Sequence, residues 1–270
     1  MERNRKRRNG VSCRDMPSWN IHTAHVERLL AEHEAGELGI CDVDAFLFGN
    51  YVPDIYLGYM VPDTTYRIDY CLTHVARPNM IPAPDADSFW DDSVWRALRR
   101  PKSEAGMSLA LGVWAHLCAD RMYNLRFREF CLSRVVPRGE ELRKQKQADF
   151  NLFGHSLQLS RHVNVTPELL DAAFAFHHYS ILPADVRRAV DVADAIVDER
   201  DAPSARDYQL IGREWLDATF GSCHERLGVW LRTYVELRDE GADWSAADIR
   251  ARAGLNPATP DDRTWMTRLP

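Results

Sequence analysis

The stretch "LALGVWAHLCADRMYN", residues 109–124, decides how this chain is read. Leu109, Leu111, Val113, Trp114, Leu117, Ala119 and Met122 leave a helix here with little polar face, so it belongs in the interior. His116 and Asp120 interrupt it four residues apart. Side chains at i and i+4 stack on one helix face. An imidazole nitrogen and a carboxylate oxygen aimed at one point can share a cation, and both are good zinc ligands.

The bulk numbers narrow the setting. The chain has 270 residues, 45% of them hydrophobic and 27% charged, enough apolar material for a proper core. The net charge of −6 is unevenly spread. Residues 1–15 hold six Arg/Lys against two Asp/Glu, which leaves the rest of the chain near −10. An acidic body is a poor general partner for phosphate backbones, so specific nucleic-acid binding is not expected. The basic start reads as a disordered tail, and Met16 could serve as an alternative start. The six cysteines include no C-x-x-C pair. They fit reduced thiols, and with no signal-peptide pattern and no long apolar run they point to a cytoplasmic protein without a transmembrane segment.

Helical periodicity runs through most of the chain, and no convincing series of alternating strands is present. Helices are expected over about 20–39, 87–100, 103–134, 139–161, 167–180, 184–200 and 206–240, with a short one in "CDVDAFLFGNYVPDI" (41–55) broken at "GNYVPD". Five prolines between Pro53 and Pro84 mark 51–87 as a long ordered loop. Asp87 or Ser88 is the expected cap of the helix that follows it. Gly212, Gly221 and Gly228 along the last long segment suggest close helix approach or a kink. The expected fold is all-α, a compact multi-helix bundle over residues 16–255, between a tail at 1–15 and another at 256–270.

Three upstream motifs each add a ligand type to His116 and Asp120. His22 lies in "PSWNIHTAH", Asp54 follows proline in "FGNYVPDI", and His74 lies in "YCLTHVA". His25 could replace His22, but His22 sits nearer the start of its motif. His22, Asp54, His74, His116 and Asp120 make five donors. A two-zinc centre with one bridging carboxylate needs about this many. Asn124, one turn past Asp120, is a candidate to orient a ligand. His177 and His178 are adjacent and point different ways on a helix. Trp90, Trp95, Trp215 and Trp230 read as core, and "RVVPRGEELRKQKQ" reads as a solvated helix start.

Taken together, "MPSWNIHTAH", "FLFGNYVPDI", "CLTH" and "GVWAHLCAD" resemble the motifs of the zinc-dependent phospholipase C family, whose fold is shared with single-strand-specific zinc nucleases. The resemblance covers roughly residues 16–125, with a weaker echo in "ADFNLFGHSL". It implies an all-α fold with a zinc cluster. Asp54, His74, His116 and Asp120 would hold one zinc, and Asp120 would bridge to a second held by His22. The implied activity is hydrolysis of a phosphodiester or phospholipid-type substrate by metal-activated water, with Asp54 as the candidate proton acceptor.

The chain also departs from that pattern. Secreted members bind zinc through the free amine of an N-terminal tryptophan, whereas Trp19 is internal. Arg126 stands where a histidine is expected six residues after the bridging aspartate, and Leu159 stands where an acid is expected four residues after His155. Asp149 is the nearest carboxylate that could substitute. Two zinc ions are therefore expected, with the third position lacking its usual ligands. The alternative is a non-catalytic helical protein that keeps a structural or vestigial zinc site.

Overall fold

The computed structural model describes residues 18–79, 81–94, 103–134, 136, 139–199, 207–241 and 245–254. The expected tails at 1–15 and 256–270, and Trp95, lie outside these residues. The described chain is helical: α1 (Trp19–Glu32), α2 (Val43–Gly49), α3 (Val52–Ile55), α4 (Tyr70–Thr73), α5 (Ala86–Phe89), α6 (Glu104–Arg134), α7 (Glu140–Ser156), α8 (Pro167–Phe174), α9 (Pro183–Asp198), α10 (Arg213–Asp239) and α11 (Ala246–Arg252). A 3₁₀ turn spans Ala35–Leu38 and a π turn spans Trp90–Val94. Among the described residues there is no strand, only an isolated bridge between Ala76 and Pro84. No described helix is long and apolar enough to cross a membrane.

α6 is the central helix, and it is buried all round over residues 108–120, as its sequence requires. It packs against α2, α10, α8, α5 and α3. The buried apolar residues of all these elements join one cluster running from Trp19 to Ile249. The closest approach is α2 on α6. A Cβ on Gly49 would lie 2.3 Å from the Leu109 carbonyl oxygen, and one on Gly112 would lie 2.1 Å from that of Phe46. Neither space admits a methyl group, so glycine is required at both positions. The glycines of the last long segment do not play this part. Gly212 caps α10, Gly221 has open space, and Gly228 makes ordinary contacts.

Local chemistry sets the element ends. Asp42 caps α2 by accepting from the Ala45 amide. Asp85, rather than Asp87 or Ser88, caps α5 through the Ser88 amide. The first expected helix ends early, at Glu32, and Gly39 closes the following 3₁₀ turn with φ 73°. The proline-rich segment is not a bare loop, because α3 and α4 form inside it.

α6 also holds that segment in place. Arg121 donates to the Pro84 carbonyl at 2.8 Å, Asn124 to Pro82 at 2.9 Å, and Arg128 to Ile81 at 2.6 and 2.9 Å. Residues 121, 124 and 128 share one helix face, so one stripe of donors satisfies three carbonyls of a buried loop.

Candidate metal centre

Five side chains from four elements meet inside the bundle. α1 brings His22 and α6 brings His116 and Asp120, while α3 and the end of α4 bring Asp54 and His74. None is more than 1% exposed. Two groups have one donor atom per residue within 4.8 Å of one another, and each could hold a metal ion: His22, His116 and Asp120, and Asp54, His74 and His116. His22 stacks on His116, with ring centroids 4.0 Å apart.

The spacing within the cluster carries chemical information. Asp120 Oδ1 lies 3.3 Å from His22 Nε2. Asp120 Oδ2 lies 3.3 Å from His116 Nε2 and 3.4 Å from His74 Nε2. His74 Nε2 lies 3.6 Å from Asp54 Oδ1 and 3.2 Å from His116 Nε2. Two ligand atoms held tetrahedrally at zinc bond lengths are separated by about 3.4 Å. The Asp120 contacts do not have hydrogen-bond angles. Both Asp120 oxygens, Asp54 Oδ1 and both His22 nitrogens are buried with no hydrogen-bond partner. Buried polar atoms left this way are costly, and a cation at the centre of the cluster would satisfy them. The donor set fits a metal on this observation.

The surrounding bonds turn the right atoms inward. His116 Nδ1 lies 2.7 Å from the Asn50 carbonyl oxygen and can only donate to it, which leaves the Nε2 lone pair facing the cluster. The Gly49–Gly112 contact brings the two together, since Asn50 directly follows Gly49 and His116 lies one turn after Gly112. Thr73 donates to the Tyr70 carbonyl at 3.3 Å and so accepts from His74 Nδ1 at 2.8 Å. This tautomer follows from the network, and it turns the His74 Nε2 lone pair inward as well. Tyr70 stacks on His74 at 3.9 Å. Val75, directly after His74, has φ 49°, a strained conformation for a β-branched residue.

The electrostatics divide the three imidazoles: His22 and His74 favour the neutral form, and the carboxylates hold His116 toward its cation. Burial, with the neighbouring His116, lowers His22 to about 4; burial also lowers His74 to about 4. Burial pulls His116 down too, but the Asp120 and Asp54 carboxylates outweigh it and leave it raised. Burial pushes Asp120 up, yet His116 and the other two imidazoles hold it well below the usual carboxylate range. Asp54 is raised, chiefly by burial.

No family model matches this chain, and neither does any curated protein or solved structure.

The optional members of the site lie elsewhere. His25 is turned to the Tyr123 hydroxyl at 3.3 Å and stacks on Phe220, outside both groups. The amide nitrogen of Asn124 goes to Pro82, and its oxygen accepts from the buried Lys146 at 3.1 Å. Asp149 is no substitute ligand, because its two oxygens accept from the backbone amides of Gln209, Leu210 and Ile211 at 2.6–2.8 Å. His155 pairs with Glu199 at 3.6 Å, and Arg126 reaches Ala218 and Thr219. Residue-type counting missed Trp19, Asn50 and Thr73, which touch the donors from behind. Only Trp19 left a signal, since it stands three residues before His22 on one face of α1.

Proposed function

We propose that this chain is a zinc-dependent phosphoric ester hydrolase of the phospholipase C type. What supports the reading is the convergence of His22, Asp54, His74, His116 and Asp120, with both Asp120 oxygens, Asp54 Oδ1 and both His22 nitrogens left without a hydrogen-bond partner. His116 Nδ1 is committed to Asn50, so His116 offers one lone pair and serves one cation. Asp54, His74, His116 and Asp120 Oδ2 would hold the first zinc. Asp120 Oδ1 and His22 would hold the second, with Asp120 as the bridge. Zinc bound there would activate water near neutral pH and neutralise charge on a phosphodiester.

The chain's own residues then have distinct tasks. Asp120 sets the distance between the two positions, because its oxygens face different imidazoles. Asp54 has Oδ1 as its single unbonded oxygen, so it acts as a ligand or as a proton acceptor but not as both. The three histidines enter as neutral donors with fixed ring planes. The expected substrate is a phosphodiester or phospholipid-type ester.

The test is hydrolysis of a phospholipid and of an aryl phosphodiester with zinc supplied, wild type against Asp120→Asn. Cleavage by the wild type alone supports the proposal. A wild type that binds zinc and cleaves neither ester overturns it. One observation favours a second reading, zinc kept for structure: all five ligands are buried, and structural sites are closed whereas catalytic ones keep an open position. In that case chelation lowers stability and there is no turnover to lose.

A further inference from the structure

Trp19 is fully buried in the first turn of α1. Its indole N–H donates to Asp54 Oδ2 at 3.0 Å. The ring is held on both sides of that bond. Its face stacks on Tyr51, with centroids 4.6 Å apart and planes 28° apart. The Tyr51 hydroxyl is in turn bonded to Thr23 Oγ1 at 2.8 Å, one turn along α1. Tyr51 also begins the turn that carries Asp54, whose amide donates to the Tyr51 carbonyl at 3.0 Å. The segment that presents Asp54 therefore also clamps the donor that orients it.

The bond divides the two oxygens of Asp54. Oδ2 is taken by the indole, and Oδ1 is left unpaired 3.6 Å from His74 Nε2. A carboxylate fixed in this way presents one free oxygen, Oδ1, to a metal. We infer that Trp19 is a positioning residue for the metal centre, whose indole N–H makes Asp54 a one-oxygen ligand and so keeps the coordination number of the first site low. The inference rests on the metal-centre reading above and adds to it the device that sets the geometry. A neutral indole suits this task, because a cationic donor would pair with the carboxylate and weaken it as a ligand.

Trp19→Phe keeps a ring against Tyr51 and removes the donor. Zinc affinity is expected to fall about 10–100-fold, as when other groups that orient ligands are removed. Cobalt(II) supplies a readout that a packing defect would not move. With Oδ2 released, Asp54 can chelate through both oxygens, the coordination number rises, and the visible cobalt absorption weakens as the site loses its tetrahedral character. In an Asp54→Ala background, Trp19→Phe should change zinc affinity no further, because the indole acts through Asp54.

Identical affinity and cobalt spectra in wild type and Trp19→Phe overturn the inference while leaving the metal centre standing, and so does a loss that persists in full without Asp54. A wild type that takes up neither zinc nor cobalt overturns the metal centre and this inference with it. Should Trp19→Phe not fold, the indole N–H proton resonance of Trp19 in the wild type gives the same decision. It must shift when zinc is added, and a resonance that stays in place contradicts the role.

Discussion

Asp149 and Asp120 are both fully buried on helices, and they are treated in opposite ways. Asp149 accepts three backbone N–H bonds and stitches the chain at 209–211 onto α7. Asp185 is the same kind of residue, taking the Tyr56 hydroxyl, the Thr65 amide and Arg188. Asp120 accepts no hydrogen bond, although three imidazoles stand 3.3–3.4 Å from its oxygens. The first two carboxylates complete their neighbours' bonding, so removing them leaves orphaned donors. Two of the imidazoles facing Asp120 have their other nitrogen committed elsewhere, His116 Nδ1 to Asn50 and His74 Nδ1 to Thr73, so in their neutral forms they turn a lone pair toward it. A buried carboxylate serves structure where donors face it, and is ready for a cation where lone pairs face it.

Mutation separates the two cases. The largest effect on stability is expected from Asp149→Ala, which strands three backbone N–H groups. A loss of roughly 3–5 kcal/mol should appear in urea unfolding with or without zinc. A loss below about 1 kcal/mol would mean that Asp149 is not what holds that segment. Asp120→Asn should instead leave the metal-free helical circular-dichroism spectrum in place. Its defect should appear only with metal: at zinc a hundredfold above Kd the wild type gains about 2.7 kcal/mol, and the variant gains none.

Gly112→Ala joins the two regions of the comparison. The added methyl would meet the Phe46 carbonyl and push α2 from α6. We expect about 1–3 kcal/mol of destabilisation from overpacking. Zinc affinity should weaken too, because the Asn50 carbonyl moves away from His116. Weakened packing with unchanged zinc affinity would show that Asn50 does not hold the His116 tautomer.

The remaining effect is on pH dependence. His22 and His74 are lowered from 6.5 to about 4 in the fold, so the stability they contribute is fully present above pH 6.5 and is lost as pH falls toward 4. Asp54 is shifted upward, so folding favours its protonated form and opposes this trend. Burial lowers His25 as well, so three imidazoles against one carboxyl leave a net of about two protons. Metal-free stability should thus fall by roughly 2 kcal/mol per pH unit between pH 6 and 5. A melting temperature that is flat or rising over that interval would contradict the charge states assigned to the cluster.

The sequence made parts of this legible and hid others, for physical reasons. The all-α character followed from helical periods, and α6 from an apolar stretch too broad for a surface helix. The donors His22, Asp54, His74, His116 and Asp120 could be named because metal chemistry restricts the residue types. Asp149 also has a suitable type, yet its partners are backbone amides, which leave no mark in a sequence. Lys146 sits in a stretch that reads as solvated, but it is buried against Phe127 and Phe150 with Asn124 on its ammonium. The close approach at Gly49 and Gly112 was missed for a similar reason, since glycine spacing along one helix says nothing about which helix lies opposite.

The most direct measurement of the central claim is zinc content after equilibrium dialysis of purified wild type and Asp120→Asn, read by elemental analysis at neutral pH. The account predicts at least one tightly held zinc per wild-type chain and a marked loss in Asp120→Asn with the helical spectrum retained. A wild type that retains no zinc, or an Asp120→Asn chain that retains as much, would contradict it.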